Sequence, residues 1–234
     1  MKMNLQPPEK IDLGAGLLLD VIGVWPTIQG EGPYTGTPAT FIRLAGCNLQ
    51  CPLCDTNYTS GRGRLEVEIL VSRVRALKNQ LVVITGGEPF RQNITELCRL
   101  LCKANYLVQV ETNGAFSPPE GFYRLKSSVN SISCRLCVVC SPKTSKLAGT
   151  MDVLVDAWKY VVRAGEIEPD GMPTSALGMS GIPARPMNTH QIYIQPADEK
   201  DLSQNTANMK AAVDSCLKHG YRLCLQLHKI AGLD

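Results

Sequence analysis

Three cysteines stand close together near residue 50 and could bind iron. Cys47, Cys51 and Cys54 have three residues in the first gap and two in the second. Thiolate is the usual protein ligand of iron–sulfur clusters, and a loop of this spacing can supply three corners of a cubane cluster. Because the run holds no fourth cysteine, one iron would be left for a ligand that is not a side chain. An open coordination position is typical of a reactive metal site rather than a structural one.

Zinc binding and burial as structural thiols are the alternatives for these cysteines. Structural zinc takes four closed ligands, and the three histidines of the chain, at positions 190, 219 and 228, all lie far from the run. Ten cysteines could also suggest a disulfide scaffold. However, the chain is large, its first ten residues lack the apolar core of a secretory signal, and the three clustered cysteines are too close to pair readily. We therefore expect a cluster in a reducing, cytoplasmic compartment.

The composition narrows the class of protein. With 44% hydrophobic and 19% charged residues in 234, the chain can form the core of one globular domain, so we expect a single domain over residues 1–234. The formal net charge of +3 does not favour nucleic-acid binding. No run of eighteen apolar residues occurs, so we expect no membrane span.

Short apolar runs alternate with helical patterns, which favours an α/β fold with a parallel sheet. Predicted strands cover residues 18–24, 40–44, 81–85, 107–111, 136–140, 157–162, 191–195 and 222–226, and predicted helices cover 65–79, 94–104 and 201–219. Four of these strands end in polar or glycine-rich sequence: Leu44 before the cysteine loop, Thr85 before Gly86, Glu111 before Thr112 and Cys140 before Ser141. In parallel α/β folds this carboxyl edge holds the active site.

Two further segments have no clear role. Residues 165–188 are rich in proline and glycine without periodicity, which is typical of a surface insert or a lid, and the insert is the favoured interpretation. Cys134, Cys137 and Cys140 form a second triplet that could hold an auxiliary cluster. Cys137 and Cys140 should point to opposite faces of a strand, so we favour buried thiols instead.

The motifs together resemble those of the 7-carboxy-7-deazaguanine synthase family, radical S-adenosylmethionine enzymes of 7-deazapurine biosynthesis. The resemblance covers most of the chain and rests on Ile28-Gln29-Gly30-Glu31-Gly32, Phe41-Ile42-Arg43, the cysteine run with Asp55-Thr56, Thr85-Gly86-Gly87-Glu88-Pro89, Glu111-Thr112-Asn113-Gly114, Ser141-Pro142-Lys143, Gln195-Pro196 and Leu225-Gln226-Leu227-His228-Lys229. It implies an incomplete (β/α)6 barrel with the cluster at the open carboxyl edge.

The resemblance also implies ligand-binding residues. Cys47, Cys51 and Cys54 would hold a 4Fe–4S cluster, and Thr56 would help to hold Mg²⁺. S-adenosylmethionine would be bound by Leu53, Cys54, Asp55, Gly87, Ser141, Pro142, Lys143, Gln195, Pro196, Ala197 and Asp198. The substrate would be bound by Ile28, Gln29, Gly30, Arg43 and Thr85, with Arg43 on its carboxylate.

The implied reaction is a radical ring contraction of 6-carboxy-5,6,7,8-tetrahydropterin to 7-carboxy-7-deazaguanine with release of ammonia. It would make the chain a carbon–nitrogen lyase of queuosine-type tRNA modification. A 5′-deoxyadenosyl radical would begin the reaction, with an electron from flavodoxin or ferredoxin, and a homodimer is expected. One alternative is a glycyl-radical activase, which would not need Gln29, Arg43 or Thr56. The other is a cluster-binding module without turnover of S-adenosylmethionine.

Overall fold

One mixed sheet organises the chain in this computed structural model. The structure describes residues 3–129, 136–186 and 191–233, and within these ranges nine strands form a single sheet. The strands are β1 Leu18–Ile28, β2 Pro38–Leu44, β3 Gly63–Glu66, β4 Leu81–Gly86, β5 Leu107–Thr112, β6 Leu136–Cys140, β7 Ala157–Val162, β8 Gln191–Pro196 and β9 Arg222–Leu223. The helices are α1 Val67–Leu77, α2 Thr95–Lys103, α3 Glu120–Val129, α4 Met151–Leu154, α5 Leu202–His219 and α6 Leu227–Ile230.

The strand order is β3-β1-β2-β4-β5-β6-β7-β8-β9, with β3 and β9 at the two open ends. Strands β2 and β4 to β9 run parallel, as the alternation of strands and helices predicts. The sheet does not close into a full barrel, which confirms the predicted incomplete α/β barrel. The described sheet has seven parallel strands where the resemblance implies six, and the last of them, β9, falls within the strand predicted for residues 222–226. Strand β1 is antiparallel to both of its neighbours, which the sequence did not predict.

Alternate residues of the parallel strands face two different cores. On the outer face, Val82, Ile84, Val138 and other buried residues pack with the helices in the larger core. On the inner face, a smaller cluster includes Cys137, Val139, Ala157 and Tyr193. Cys137 and Cys140 belong to different clusters, which confirms that they point to opposite faces. Cys134 lies outside the described residues.

Several predicted boundaries were wrong. The helix predicted for residues 65–79 begins at Val67, because Leu65 and Glu66 pair with β1. The strand predicted for residues 222–226 ends at Leu223, and Gln226 is already the N-cap of α6. The long helix α5 begins as predicted, since the side chain of Asp201 accepts a hydrogen bond from the backbone N–H of Gln204. The sequence did not predict α3, α4, α6 or β3.

Two irregular segments cover parts of the sheet. Residues 29–37 turn back after β1, and Tyr34 within them packs against the inner-face cluster and against a third cluster formed by Ala39, Leu81 and Val83. Residues 165–186 follow β7 and bury Met172 against the outer core. Among the described residues, no helix is both long enough and apolar enough to span a membrane.

Candidate active site

The carboxyl ends of β2 and β4 come together beneath the cysteine loop, which we define as residues 45–62. The backbone N–H of Gly87 donates to Leu44 O at 3.3 Å, and that of Glu88 donates to Gly46 O at 3.0 Å. A Cβ atom at position 87 would overlap the carbonyl oxygen of Gly46. Gly87, to which the family resemblance gives a contact with the cofactor, is thus required here by the close packing of two backbones. That packing fixes the start of the cysteine loop on the sheet edge.

The three thiols of the loop are buried or partly buried and form no disulfide. Burial raises the pKa of Cys47 to about 12, and the charges of Cys51 and Cys54 add to this rise. Burial likewise raises the pKa of Cys51 and of Cys54. The mutual effects show that the thiols lie within electrostatic reach of one another. Iron would have to displace their protons to bind.

The donor set of the loop consists of thiols, the ligands that iron–sulfur clusters take. Within the ranges that the structure describes, no three or more His, Cys, Asp or Glu side chains converge closely enough to hold one metal ion. A cubane cluster needs no such convergence, because its thiolates bind separate irons. Three neighbouring thiols without disulfides are therefore suitable ligands for a three-cysteine cluster.

A lysine lies within electrostatic reach of these thiols. Lys143 donates to Ser141 Oγ at 2.5 Å and to Ser141 O at 3.0 Å. Burial lowers its pKa, the nearby Lys159 lowers it further, and Cys51 and Cys54 act to raise it. The Lys143 ammonium is thus bonded to Ser141 and lies within electrostatic reach of the cysteine loop.

A buried carboxylate organises the ends of β4 and β5. Glu88 is fully buried and accepts hydrogen bonds from Thr112 Oγ1 at 2.7 Å, from Asn113 N at 2.7 Å and from Phe90 N at 3.0 Å. Asn113 in turn donates to Asn48 Oδ1 at 2.9 Å. Burial raises the pKa of Glu88. The sequence assigned no role to Glu88 or Asn113, although both stand in the motifs that carry the resemblance.

Two predicted substrate residues meet on one carboxylate. Gln29 Nε2 donates to Glu111 Oε1 at 2.9 Å, and Thr85 Oγ1 donates to Glu111 Oε2 at 3.1 Å. Gln109 Nε2 also donates to Glu111 Oε1 at 2.9 Å, while its buried Oε1 has no hydrogen-bond partner among the described residues. Glu111 is therefore the centre of a polar network on the inner face of the sheet. The sequence assigned it no role.

Arg43 extends this network toward the cysteine loop. Its guanidinium lies 4.8 Å above the ring of Trp25, and its buried Nε has no hydrogen-bond partner in the described part of the chain. Burial lowers the pKa of Arg43, and Asp55, Cys54 and Glu111 act to raise it. A buried donor without a partner is costly unless a ligand satisfies it. The arrangement suits an anionic ligand.

An ion pair between Lys159 and Glu31 also lies on the inner face of the sheet. Lys159 Nζ contacts Glu31 Oε2, and Gln226 Nε2 donates to Glu31 Oε1 at 3.0 Å. Although burial acts to lower it, the pKa of Lys159 is raised by the carboxylates of Glu31 and Glu111. Burial acts to raise the pKa of Glu31, but Lys159, Gln226 and His228 together lower it. The pair links residues 29–37 to β7 and to the carboxyl-terminal segment.

The carboxyl-terminal segment joins two of the predicted cofactor-binding stretches. Lys229 Nζ lies 3.1 Å from Asp55 Oδ2 and 3.5 Å from Asp198 Oδ2. A hydrogen bond from Lys200 N lowers the pKa of Asp198, and Asn205 and Lys229 contribute to the decrease. Gly30 packs against His228, leaving no room there for a Cβ atom. The ending of the chain is part of the family resemblance, but no contact was predicted for it from the sequence.

Several other residues predicted to bind ligands have contacts of their own outside the Glu111 network. Thr56 Oγ1 donates to Asp55 Oδ1 at 3.4 Å, which leaves two hard oxygens side by side on the loop. Gln195 is buried, and Cys224 Sγ lies 3.8 Å from its Oε1. Ala197 uses its backbone N–H for Val162 O, and Ile28 pairs with Pro38 at the amino end of β2. The contacts of Ile28 and Ala197 described here hold backbone in place and say nothing of ligand binding.

The proline- and glycine-rich segment covers the cysteine loop from one side. Leu53 N donates to Leu177 O at 3.1 Å, and a Cβ atom at Gly178 would lie 3.2 Å from Pro52 Cβ. Arg185 holds the segment together through Asp170 Oδ2 at 2.7 Å. Residues 165–186 are therefore in contact with the predicted cluster site, and residues 187 and 188 lie outside the described part of the chain.

Comparisons of the sequence with known proteins identify relatives that cover nearly the whole chain. The sequence profile of the radical SAM superfamily matches residues 41–136. The 7-carboxy-7-deazaguanine synthase of Rhodospirillum rubrum is 36% identical over 236 residues, covering 96% of each chain. That of Rickettsia prowazekii is 35% identical over 241 residues, covering 97% of this chain and 94% of the relative.

A solved structure gives independent support for the fold. The crystal structure of QueE from Escherichia coli superposes with a TM-score of 0.65 at 21% identity, covering 89% of this chain and 93% of that one. At this identity the likeness concerns the fold alone, whereas the sequence relatives cover nearly the whole chain. The chain belongs to the 7-carboxy-7-deazaguanine synthase family of radical S-adenosylmethionine enzymes.

Proposed function

We propose that this chain converts 6-carboxy-5,6,7,8-tetrahydropterin to 7-carboxy-7-deazaguanine with release of ammonia, as a carbon–nitrogen lyase. The observation that carries the proposal is the polar network around Glu111, with Arg43 between it and the cysteine loop. A carboxylate with a neighbouring cation suits a ligand that carries both N–H donors and an anionic group. No observation favours the activase or the non-catalytic alternative.

The cysteine loop would hold the 4Fe–4S cluster through Cys47, Cys51 and Cys54. When bound and reduced, the cluster supplies the electron that cleaves S-adenosylmethionine to a carbon radical. The protein's own part is to hold the cofactor and exclude water. The Lys143 ammonium next to the thiols offers a partner for a carboxylate of the cofactor. We assign further cofactor contacts to residues 53–55, Gly87, residues 141–142 and residues 195–198.

The substrate would be oriented by two groups of opposite charge. A pterin presents an edge of N–H donors, and the Glu111 carboxylate is an acceptor that Gln29 and Thr85 already hold in place. Arg43 would bind the substrate carboxylate, because a guanidinium can bond both carboxylate oxygens. Its unpartnered Nε is the donor that such a ligand would satisfy. Ile28 and Gly30, which flank Gln29, belong to the same proposed substrate-binding stretch.

A magnesium ion would complete the site beside Thr56. Mg²⁺ prefers oxygen ligands and commonly keeps several waters, so few protein ligands are needed. The hydroxyl of Thr56 and the carboxylate of Asp55 are adjacent oxygens of this kind. Thr56 is the residue to which we assign the ion.

Three further features belong to the proposal. Flavodoxin or ferredoxin would supply the electron, and the chain would act as a homodimer. It would form one domain over residues 1–234 with an insert at about residues 165–188, of which Leu177 and Gly178 contact the cysteine loop. Sedimentation of the reconstituted protein tests the dimer, and turnover with each purified electron donor tests the reductant.

An anaerobic assay tests the function itself. Reconstituted and chemically reduced protein is incubated with S-adenosylmethionine and the carboxylated tetrahydropterin, and the products are read by mass spectrometry. We expect 7-carboxy-7-deazaguanine and ammonia in equal amounts. Cleavage of S-adenosylmethionine without any deazapurine, under conditions where a known relative makes it, would refute the proposal.

A further inference from the structure

The first described residues of the chain run along the cysteine loop. Asn4 donates through its backbone N–H to Pro52 O at 2.9 Å and through Nδ2 to Cys51 O at 3.2 Å. Its Oδ1 accepts from Gln6 N at 3.0 Å, which fixes the local turn. Asn4 is only 8% exposed although it stands near the start of the chain. Asn4 thus binds the backbone of the second cysteine through its side chain and that of the following Pro52 through its own backbone N–H.

Gln6 holds the backbone that follows the third cysteine. Its Nε2 donates to Thr56 O at 2.8 Å, and its Oε1 accepts from Tyr58 N at 2.7 Å and from Thr59 Oγ1 at 3.1 Å. Tyr58 is 1% exposed, and its hydroxyl donates to Gln6 O at 3.0 Å. Both ends of a single amide side chain are therefore engaged with the loop.

Glu9 anchors the same segment to the sheet edge. Its backbone N–H donates to Cys47 O at 2.6 Å, and its carboxylate lies 3.5 Å from the buried Arg91 guanidinium. Arg91 also donates to Ala45 O at 3.3 Å. Gly46 lies directly beneath this pair with φ at 79°, and a Cβ atom there would overlap Arg91 Nε. Because Gly46 has no side chain, the loop leaves room for the Glu9–Arg91 pair.

The cysteine loop depends on contacts of this kind. Residues 45–62, all of which the structure describes, contain no helix or strand. Backbone hydrogen bonds within the loop include Cys54 N to Cys51 O and Gly46 N to Tyr58 O. Metal ligands keep their geometry only when surrounding hydrogen bonds hold them. Residues 4–9 supply several such bonds, which reach the backbone at Cys47, at Cys51 and at Thr56, two residues after Cys54.

We infer that residues 4–9 form a strap that keeps the iron–sulfur cluster in the protein, with Asn4, Gln6 and Glu9 as positioning residues for the cysteine ligands. The strap slows the opening of the loop through which iron would leave. The inference rests on the proposed function in so far as Cys47, Cys51 and Cys54 hold a cluster. It adds a role for a segment to which no site residue was assigned.

Loss of iron from the reconstituted protein tests the strap. Under anaerobic conditions a ferrous-iron chelator is added, and the visible absorbance of the cluster is followed with time. The double variant Asn4→Ala/Gln6→Ala should lose its cluster about tenfold faster than wild type, since each lost net hydrogen bond changes an equilibrium by a factor of a few. Leu5→Ala is the matched control in the same segment, because Leu5 is 77% exposed. It should lose iron at the wild-type rate.

Two further variants separate the strap from general stability. Val74→Ala removes buried volume from α1, on the outer face of the sheet, and lowers stability without touching the loop. The double variant should release iron faster than Val74→Ala even where the two apoproteins unfold at the same temperature. Gln6→Glu keeps the acceptor for Tyr58 N but sets a carboxylate oxygen against Thr56 O in place of the donor, so it should release iron faster than wild type. The single substitution Gln6→Glu still tests the strap if the double variant fails to fold.

The outcomes are distinct. Iron release from Asn4→Ala/Gln6→Ala or from Gln6→Glu at the wild-type rate overturns the strap and leaves the proposed function intact. Equal release from Val74→Ala and the double variant also overturns it, because the effect is then one of stability. A wild-type protein that binds no cluster after reconstitution overturns the proposed function and the strap with it.

Discussion

Replacing Glu111 with glutamine should remove a charge from the substrate site while keeping its shape. The carboxylate accepts from Gln29, Gln109 and Thr85 at 2.9, 2.9 and 3.1 Å. A glutamine at position 111 can turn its Oε1 toward the two amide donors and its Nε2 toward the hydroxyl of Thr85. That hydroxyl can rotate and accept, so the network stays satisfied.

The size of the effect follows from what the substitution changes. Hydrogen bonds to a charged group are worth about 1.5–3 kcal/mol, and those between neutral groups about 1 kcal/mol. Losing roughly 2 kcal/mol at the substrate edge lowers kcat/KM about thirtyfold, because each 1.36 kcal/mol is a factor of ten. Lys159 keeps Glu31 as its partner. We therefore expect the free energy of unfolding to change by about 1 kcal/mol or less, the range of a modest substitution.

The assay measures two rates in the same variant: formation of the deazapurine and cleavage of S-adenosylmethionine without substrate. Glu111→Gln should lower the first and leave the second unchanged. Glu120→Gln, on the exposed first turn of α3, is the matched control and should change neither. Near wild-type kcat/KM in Glu111→Gln would refute the proposed role of Glu111. A parallel loss of both rates would mean that the carboxylate acts on the cofactor instead.

Three other variants, two single and one triple, address the remaining assignments. Arg43→Ala should lower kcat/KM for the carboxylated pterin roughly thirtyfold or more, because a lost buried charge partner costs about 2–5 kcal/mol; near wild-type product formation would make Arg43 structural. Thr56→Ala should weaken the dependence of turnover on added Mg²⁺ without changing the cluster spectrum, and a wild-type rate indifferent to Mg²⁺ after chelation would contradict this. Replacing Cys134, Cys137 and Cys140 together with alanine should leave the iron content per chain unchanged; a halved content would reveal an auxiliary cluster.

The parallel strands were predictable from local patterns, and the same patterns place the candidate site at their carboxyl edge. A buried strand is a short apolar run, and chemistry-bearing residues directly follow several such runs, as at Leu44 and Thr85. The opposite orientations of Cys137 and Cys140 follow from the period of two in a strand. The direction of β1 was not predictable, because apolar periodicity is the same in parallel and antiparallel strands.

The network around Glu111 and the strap could not be predicted, for a different reason. Gln29 reaches Glu111 from an irregular segment, and the two residues are 82 positions apart in the chain. Asn4 and Gln6 bind mainly backbone groups, which every residue type presents, so their partners leave no pattern in the sequence. The motif containing Glu111 was visible, but only the fold shows which side chains converge on it.

The most direct test of the central claim is the balance between product formed and S-adenosylmethionine consumed. In the proposed reaction the hydrogen atom is returned and the cofactor is regenerated, so one molecule of S-adenosylmethionine supports many turnovers. With reduced, reconstituted protein and the carboxylated tetrahydropterin, 7-carboxy-7-deazaguanine should therefore accumulate well beyond the amount of 5′-deoxyadenosine. Accumulation of 5′-deoxyadenosine with no deazapurine, or with no effect of the pterin on its rate of formation, would contradict the account.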